Sequence, residues 1–283
     1  MSQYICVDIG GTSIKHGVLD ENAIIKECNQ TKTEAWLGGA AVLDKVKTIG
    51  KQYKEQYENI EGICISTAGM VDPEEGKIVF AGELMPDYTG TCIKKELEKA
   101  LEMPCEVEND VNCAGLAEYV SGSAKESHIM FCATVGTGIG GCAIVNGRVF
   151  HGASNSACEV GYIPMGDSDF QTLGASSILV RKVAEKKIEP LDMWDGKKIF
   201  ALAEKGDKVC ISAIKEMCDV LGKGLATICY VLNPDTIVLG GGIMVQKKIL
   251  ENEIRDSLNR YLRPILAEHL QVCFAEYGNE SPG

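Results

Sequence analysis

The chain has no stretch long and apolar enough to span a bilayer, and Met1-Ser2-Gln3 opens directly on a strand pattern. Neither a membrane span nor a secretory leader is expected. Basic runs and stripes are also missing. The formal net charge is -12, which argues against nucleic acid or an anionic membrane as partner. The four histidines show no metal-ligand spacing, and no Gly-Lys-Ser/Thr ending exists, so a P-loop is excluded. The 13 cysteines include no CxxC and are odd in number. Most sit inside apolar runs, as with Cys6, Cys132 and Cys273. They read as reduced, buried small hydrophobes of a cytosolic protein.

What is present is a set of glycine loops, each placed after an apolar strand. Tyr4 to Val7 leads into Asp8-Ile9-Gly10-Gly11-Thr12. Ile129 to Val135 leads into Gly136-Thr137-Gly138-Ile139-Gly140-Gly141. Thr236 to Leu239 leads into Gly240-Gly241-Gly242. Backbone N–H groups approach a phosphate closely only where no Cβ intervenes. The first two loops resemble each other, since each is followed by a second strand pattern: Ile14 to Leu19 in one case, Cys142 to Val145 in the other. Asn146-Gly147 between apolar runs signals a two-residue hairpin. The second loop fits G-x-G-x-x-G, but a dinucleotide fingerprint opens a helix and here a strand follows. Between the loops stands Glu108-Asn109-Asp110-Val111-Asn112. Two similar lobes, a clamped nucleotide and one central carboxylate to handle a proton are the layout of a phosphoryl-transfer enzyme.

At 283 residues the chain can bury a good core and is expected to split into two lobes, 1–113 and 114–283, with a hinge near residues 108 to 120. Three short strands are expected up to about residue 30, with helices at 35–56, 91–101, 111–120, 175–185, 199–204, 207–232 and 251–262. Strands are expected at 62–66, 105–107, 236–239 and 271–277, and residues 160–174 read as irregular. Strands alternating with helices make the fold α/β, and the hairpin openings make its sheets mixed. Asp110 then falls at a strand end and a helix N-terminus, a position that suits a carboxylate and a neighbouring anion.

These motifs, together with Glu159-Val160-Gly161-Tyr162 and Asn233-Pro234-Asp235, occur in the order seen in the ROK family. The chain resembles that family over nearly its whole length. The resemblance implies two actin-like (ribonuclease H-like) lobes and ATP-dependent phosphorylation of a sugar hydroxyl, usually on C6. It implies Asp110 as the catalytic base, and Gly69, Asn109, Glu159 and Tyr162 as the sugar side, with Glu159 near C1 and C2. Asp8 is implied at Mg²⁺, with Gly10, Gly11, Thr12, Lys15, Gly136, Thr137 and Gly138 at the phosphates and Gly240, Gly241 and Gly242 on the adenosine side. A small-molecule sugar as partner, a cytoplasmic location and a homodimer follow by the same analogy.

Three departures from the family pattern stand out. Tyr162 replaces a common His. The following stretch, Asp167 to Ala175, lacks the Cys-rich zinc segment of many relatives, so no zinc site is expected. The third is at the end of the sequence, where a final Gly/Ala-rich helix is expected to be missing. Read as residues alone, Asp110 could be a helix cap only, Glu159 a surface carboxylate and Tyr162 a packed core tyrosine. A regulator and a non-catalytic sugar binder are the competing functions. The first normally carries a DNA-binding segment ahead of Asp8, where only seven residues stand.

Overall fold

A computed structural model of the chain describes residues 2–277. Period-2 alternation builds the first sheet. β1 (Gln3–Ile9) buries Ile5, Val7 and Ile9 on one face and turns Tyr4, Cys6 and Asp8 to the other. β2 (Ser13–Asp20) folds back with Ile14 opposite Ile9, and β3 (Ile25–Lys32) continues the antiparallel meander. After α1 (Gly39–Gln56), β4 (Ile60–Thr67) lies parallel to β1. A hairpin of β5 (Met70–Asp72) and β6 (Lys77–Phe80) precedes α2 (Ile93–Leu101) and β7 (Cys105–Asn109). The sheet order is β3-β2-β1-β4-β7. Val42 and Val46 of α1 and Ile93 and Leu97 of α2 share one core with Ile5, Val7, Ile63 and Ile65. The face bearing Asp8 is the one these two helices leave uncovered. α3 (Asp110–Val120) starts directly from β7.

The second sheet repeats the first. β8 (Ile129–Val135), β9 (Ile139–Val145) and β10 (Arg148–Val149) form an antiparallel meander. The β9–β10 turn has Asn146 at φ 50° and Gly147 at φ 80°, the doubly left-handed geometry that an Asn-Gly pair tolerates. A small hairpin, β11 (Pro164–Met165) with β12 (Ser168–Asp169), is followed by α4 (Phe170–Gly174), α5 (Ser176–Lys187), α6 (Gly196–Glu204) and α7 (Lys208–Leu232). β13 (Thr236–Gly240) lies parallel to β8. α8 (Lys247–Tyr261), α9 (Pro264–Ala267) and β14 (Gln271–Phe274) complete the described chain. The order β10-β9-β8-β13-β14 is the order of the first sheet, meander then two parallel strands. The second core joins Phe131, Ala133 and Val135 to Leu179, Phe200, Leu221, Leu225, Ile254 and Leu258. No helix among the described residues is long and apolar enough to cross a membrane.

The chain divides into two compact units. Among the described residues one runs up to Ala114 and takes in Gly152–Ser156, and the other comprises Gly115–His151 and the chain from Ala157 onward. The division thus falls inside α3. In the second unit, Gly115 lets that helix lie against Cys142, whose Sγ would be only 2.7 Å from an added Cβ.

Several expectations are corrected. The helix expected from Ala35 is broken: one 3-10 turn, Ala35–Leu37, ends at Gly38 with φ 87°, and α1 begins after it. The 160–174 stretch is ordered, because Asp169 caps α4 by accepting from Thr172 N–H at 2.7 Å and Phe170 is buried. α8 begins before residue 251, since Leu250 already belongs to its buried stripe. The last strand ends at Phe274. Cys28 and Cys64 are exposed and Cys273 only half-buried, so not every thiol is a core hydrophobe. The expected absence of a final helix concerns chain outside the described residues.

Helices α7 and α8 pack with almost no space at Gly222, where an added Cβ would lie 2.2 Å from Ser257 Oγ and 2.6 Å from Leu258 N. Because one neighbour is backbone, the helices must part to accept a methyl group. Gly222→Ala is expected to cost ~1–3 kcal/mol by overpacking, read as a lower midpoint in urea unfolding; an unchanged midpoint would contradict this packing.

Candidate active site

In the first unit the junction of β7 and α3 organises the site. Asn109 caps α3: its Oδ1 accepts from Val111 N–H at 2.9 Å and Asn112 N–H at 3.1 Å. Its Nδ2 donates to Gly69 O at 2.9 Å and to Asp110 Oδ1 at 3.0 Å. Both amide hydrogens and the carbonyl oxygen are therefore occupied. Glu108 Oε1 braces the same turn, accepting from Asn109 N–H at 2.7 Å and Asn112 Nδ2 at 3.0 Å. Asp110 is the first helical residue, with Asn109 at the cap position. Its Oδ1 accepts from Val111 N–H at 2.9 Å and from Asn109, so both bonds fall on one oxygen.

Surrounding protein withdraws the Asp110 carboxyl from bulk water and, with the Asp8 charge nearby, pushes its pKa up to about 6; the hydrogen bonds from Val111 and Asn109 oppose this. The side chain still has an open surface. The upward push is therefore that of a recessed carboxyl rather than an encapsulated one.

Asp8 lies across from Ser66 on β4 and from Lys15 on β2. Ser66 Oγ donates to Asp8 Oδ1 at 2.8 Å. The Gly10-Gly11-Thr12 loop after β1 is closed by Gly10 N–H to Ser13 O at 3.1 Å. Buried Thr33 holds it from the side, donating Oγ1 to Gly10 O at 2.6 Å and N–H to Thr12 O at 3.1 Å.

The second unit gathers the remaining loops. Gly136 N–H donates to Gly138 O at 2.9 Å. The start of α5 holds the carbonyls, with Ser176 Oγ on Gly136 O and Ser177 Oγ on Thr137 O, each at 2.7 Å. Gly241, at φ 96°, presses so closely on Val135 that a Cβ would lie 2.3 Å from its carbonyl oxygen. Only glycine fits there. The Gly240–Gly242 turn is thus locked against the end of β8, next to the loop that opens at Gly136. On the other side Gln171 Oε1 would meet a Cβ at Gly138 at 2.8 Å and one at Gly161 at 2.9 Å. The Glu159–Tyr162 segment is in this way seated beside the Gly136 loop. Glu159, at φ -68° and ψ 54°, is the centre of an inverse γ-turn closed by Val160 N–H to Cys158 O at 2.6 Å. Burial pushes its pKa upward although part of the side chain is exposed. Tyr162 is 60% exposed, which corrects the packed-core alternative.

Sequence reasoning passed over Thr33, Ser66, Gln171, Ser176 and Ser177. The serines opening α5 carried a visible helix-start signal. Ser66 becomes readable only once the β1–β4 register is known, and nothing local marks Thr33 or Gln171.

The ROK family profile matches residues 4–283. The chain belongs to the ROK family. It is 44% identical over 280 residues to an uncharacterised protein of Clostridium perfringens, covering 99% of this chain and 94% of that one. It is 31% identical over 245 residues to the beta-glucoside kinase of Klebsiella pneumoniae, covering 84% and 80%. Among solved structures, a ROK family glucokinase from Streptomyces griseus in complex with glucose and AMPPNP superposes with a TM-score of 0.83 at 27% identity, covering 99% and 96%. The duplicated sheets are those of the actin-like ATPase fold.

The raised Asp110 pKa has a consequence for stability. Below 3.8, the usual aspartate value, the carboxyl is protonated in both folded and unfolded chains. Between 3.8 and about 6 the folded chain holds the extra proton, so stability falls as pH rises through that window, and the penalty is complete above it. Asp110→Asn is expected to raise the melting temperature at pH 7.5 and leave it nearly unchanged below ~pH 3.5. A destabilised variant at neutral pH would contradict the recessed-carboxyl account.

Proposed function

We propose that the chain is an ATP-dependent sugar kinase. It transfers the γ-phosphoryl group to a sugar hydroxyl, the 6-hydroxyl of a hexose, an amino sugar or a β-glucoside. The observation that carries this reading is Asp110: a recessed carboxylate with a pKa near 6, braced at Oδ1, next to a second carboxylate at the mouth of a glycine loop. A base poised near neutral pH accepts the hydroxyl proton as the new bond forms. Phosphoryl transfer otherwise asks for positioning and charge neutralisation. Asp8, steadied by Ser66, is the hard oxygen donor that Mg²⁺ takes. When bound there, the ion would neutralise charge on the phosphate oxygens.

The proposed phosphate contacts are Gly10, Gly11, Thr12 and Lys15 in the first unit and Gly136, Thr137 and Gly138 in the second. Gly240, Gly241 and Gly242 are proposed for the adenosine side, where Gly241 lies too close to the Val135 backbone for any side chain. The family glucokinase holding glucose and AMPPNP supports a nucleotide and a sugar as the two ligands. On the sugar side, Glu159 and Tyr162 project from a turn and are proposed to read the C1–C2 end, and the Gly69 backbone is proposed as a further sugar contact. Asn109, with its amide fully employed, is assigned the positioning of Asp110 and of the Gly69 carbonyl. The proposed setting is cytoplasmic, with a small-molecule partner and a homodimer by analogy.

An ATP-consumption screen across hexoses, amino sugars, N-acetylated sugars and β-glucosides tests the activity. Sugar binding without turnover across the whole panel would sink the kinase reading. Asp110→Asn is expected to lower kcat by ~10²–10⁴-fold with little change in sugar affinity. For the wild type, kcat/KM should fall as pH drops below about 6, where Asp110 becomes protonated. A near-wild-type rate in the variant removes Asp110 from the mechanism.

Glu159→Gln and Tyr162→His are expected to change the ranking of glucose, N-acetylmannosamine and a β-glucoside by kcat/KM, while the KM for ATP stays within about two-fold. A site that bonds a particular hydroxyl rejects analogues lacking it far more strongly than an apolar pocket rejects an added methylene. If both variants keep the wild-type ranking, this segment does not read the sugar.

A further inference from the structure

Two thiols meet on the sheet face that carries Asp8. Cys6 of β1 and Cys64 of β4 are paired directly across the parallel ladder, two residues before the pair Asp8 and Ser66. Residues so paired point to the same side, on strands about 4.7–4.9 Å apart. A disulfide spans Cα separations of roughly 4.4–6.8 Å. The two thiols are near enough to act on each other electrostatically. Cys6 is buried and Cys64 exposed, so one thiol is open to solvent and the other waits beneath it.

The remaining thiols sharpen the contrast. Cys132 and Cys142 are also paired directly, across β8 and β9, but both are buried. Cys28 is exposed, and its strand neighbour in the ladder is Gly17. Cys113 of α3 is close enough to act on Cys6 electrostatically.

We propose that Cys6 and Cys64 form a peroxide-sensitive dithiol that closes reversibly to a disulfide. Cys64, the exposed member of the pair, is the thiol that meets the peroxide, and its thiolate is the nucleophile. The Cys64 thiolate attacks one peroxide oxygen. The O–O bond breaks, the leaving oxygen takes a proton as water, and Cys64 becomes a sulfenic acid. The Cys6 sulfur, losing its proton, attacks the Cys64 sulfur. The S–O bond breaks and a second water leaves. Two thiols and one peroxide thus give one disulfide and two waters, and a thiol reductant reverses the change. The new bond crosslinks β1 and β4 two residues from the Ser66–Asp8 hydrogen bond. On the kinase reading, which this clause assumes, closure lowers ATP turnover through Asp8.

The test uses the full chain treated with equimolar hydrogen peroxide, then alkylation, digestion and mass spectrometry. The expected product is a Cys6 peptide joined to a Cys64 peptide, lighter than the two thiol peptides by about two daltons. It should revert with dithiothreitol, while Cys132 and Cys142 stay reduced. Cys64→Ser should abolish the joined peptide and leave Cys6 alkylatable after denaturation. Turnover in the oxidised wild type should drop several-fold and recover on reduction, with Cys64→Ser insensitive to the same treatment. A Cys6–Cys113 link, or Cys64 advancing to a sulfinic acid while Cys6 stays a thiol, would overturn the proposal. Full turnover by fully joined protein would overturn its effect on Asp8. If the reduced protein shows no kinase activity, the functional reading fails, and the joined peptide still decides the dithiol.

Discussion

Everything in the first unit's site rests on one side-chain amide. Asn109 ties three pieces of chain together: the first turn of α3, the carboxylate of Asp110 and the carbonyl of Gly69. A buried or half-buried amide with every hydrogen bond made resists rotation, because each alternative rotamer leaves partners unsatisfied. The orientation of Asp110 is therefore fixed by its neighbour and by the helix backbone. This precision has a thermodynamic counterpart. The carboxyl is held where ionisation is disfavoured, and the fold carries that cost at neutral pH. The same site built from an amide would not carry that cost.

The second unit solves a different problem, which is how to keep backbone near the surface without losing its shape. The carbonyls of Gly136 and Thr137 are claimed by two serine hydroxyls, and Gly241 is pressed against Val135. Both devices fix a loop through neighbours that are themselves in regular elements. In the first unit Thr33, just past the end of β3, holds Gly10 and Thr12. The two loops thus share a logic as well as a topology: a glycine turn after the central strand, steadied from outside by hydroxyls.

Much of this was readable in the residues. Alternation gave both meanders, Asn146-Gly147 gave its hairpin, and Glu108-Asn109-Asp110 marked the end of β7 and the start of α3. Other features were hidden for physical reasons. Asn109 looked like a ligand because an amide suits sugar hydroxyls equally well. Only the register of β7 against β4 and the nearness of Gly69 reveal that its bonds are already used. The β5–β6 hairpin is too short for periodicity to register. The excursion Gly152–Ser156 depends on contacts with distant sequence. Residues 160–174 read as irregular because β11, β12 and α4 are each five residues or fewer, below the length at which a hydrophobic period can be recognised.

The segment after Tyr162 is anchored by apolar burial: Phe170 is inserted where α7 has Gly224, with the ring 2.3 Å from the position of an added Cβ. Hydrophobic burial of this kind weakens on cooling, unlike a charge-assisted or coordinate bond. The Glu159–Tyr162 turn, seated through Gln171 next to that ring, therefore belongs to the part of the molecule whose order depends most on temperature from the cold side. Discrimination between sugars, where this turn is their reader, would loosen in the cold before the glycine loops, pinned by hydrogen bonds and backbone contact, change at all.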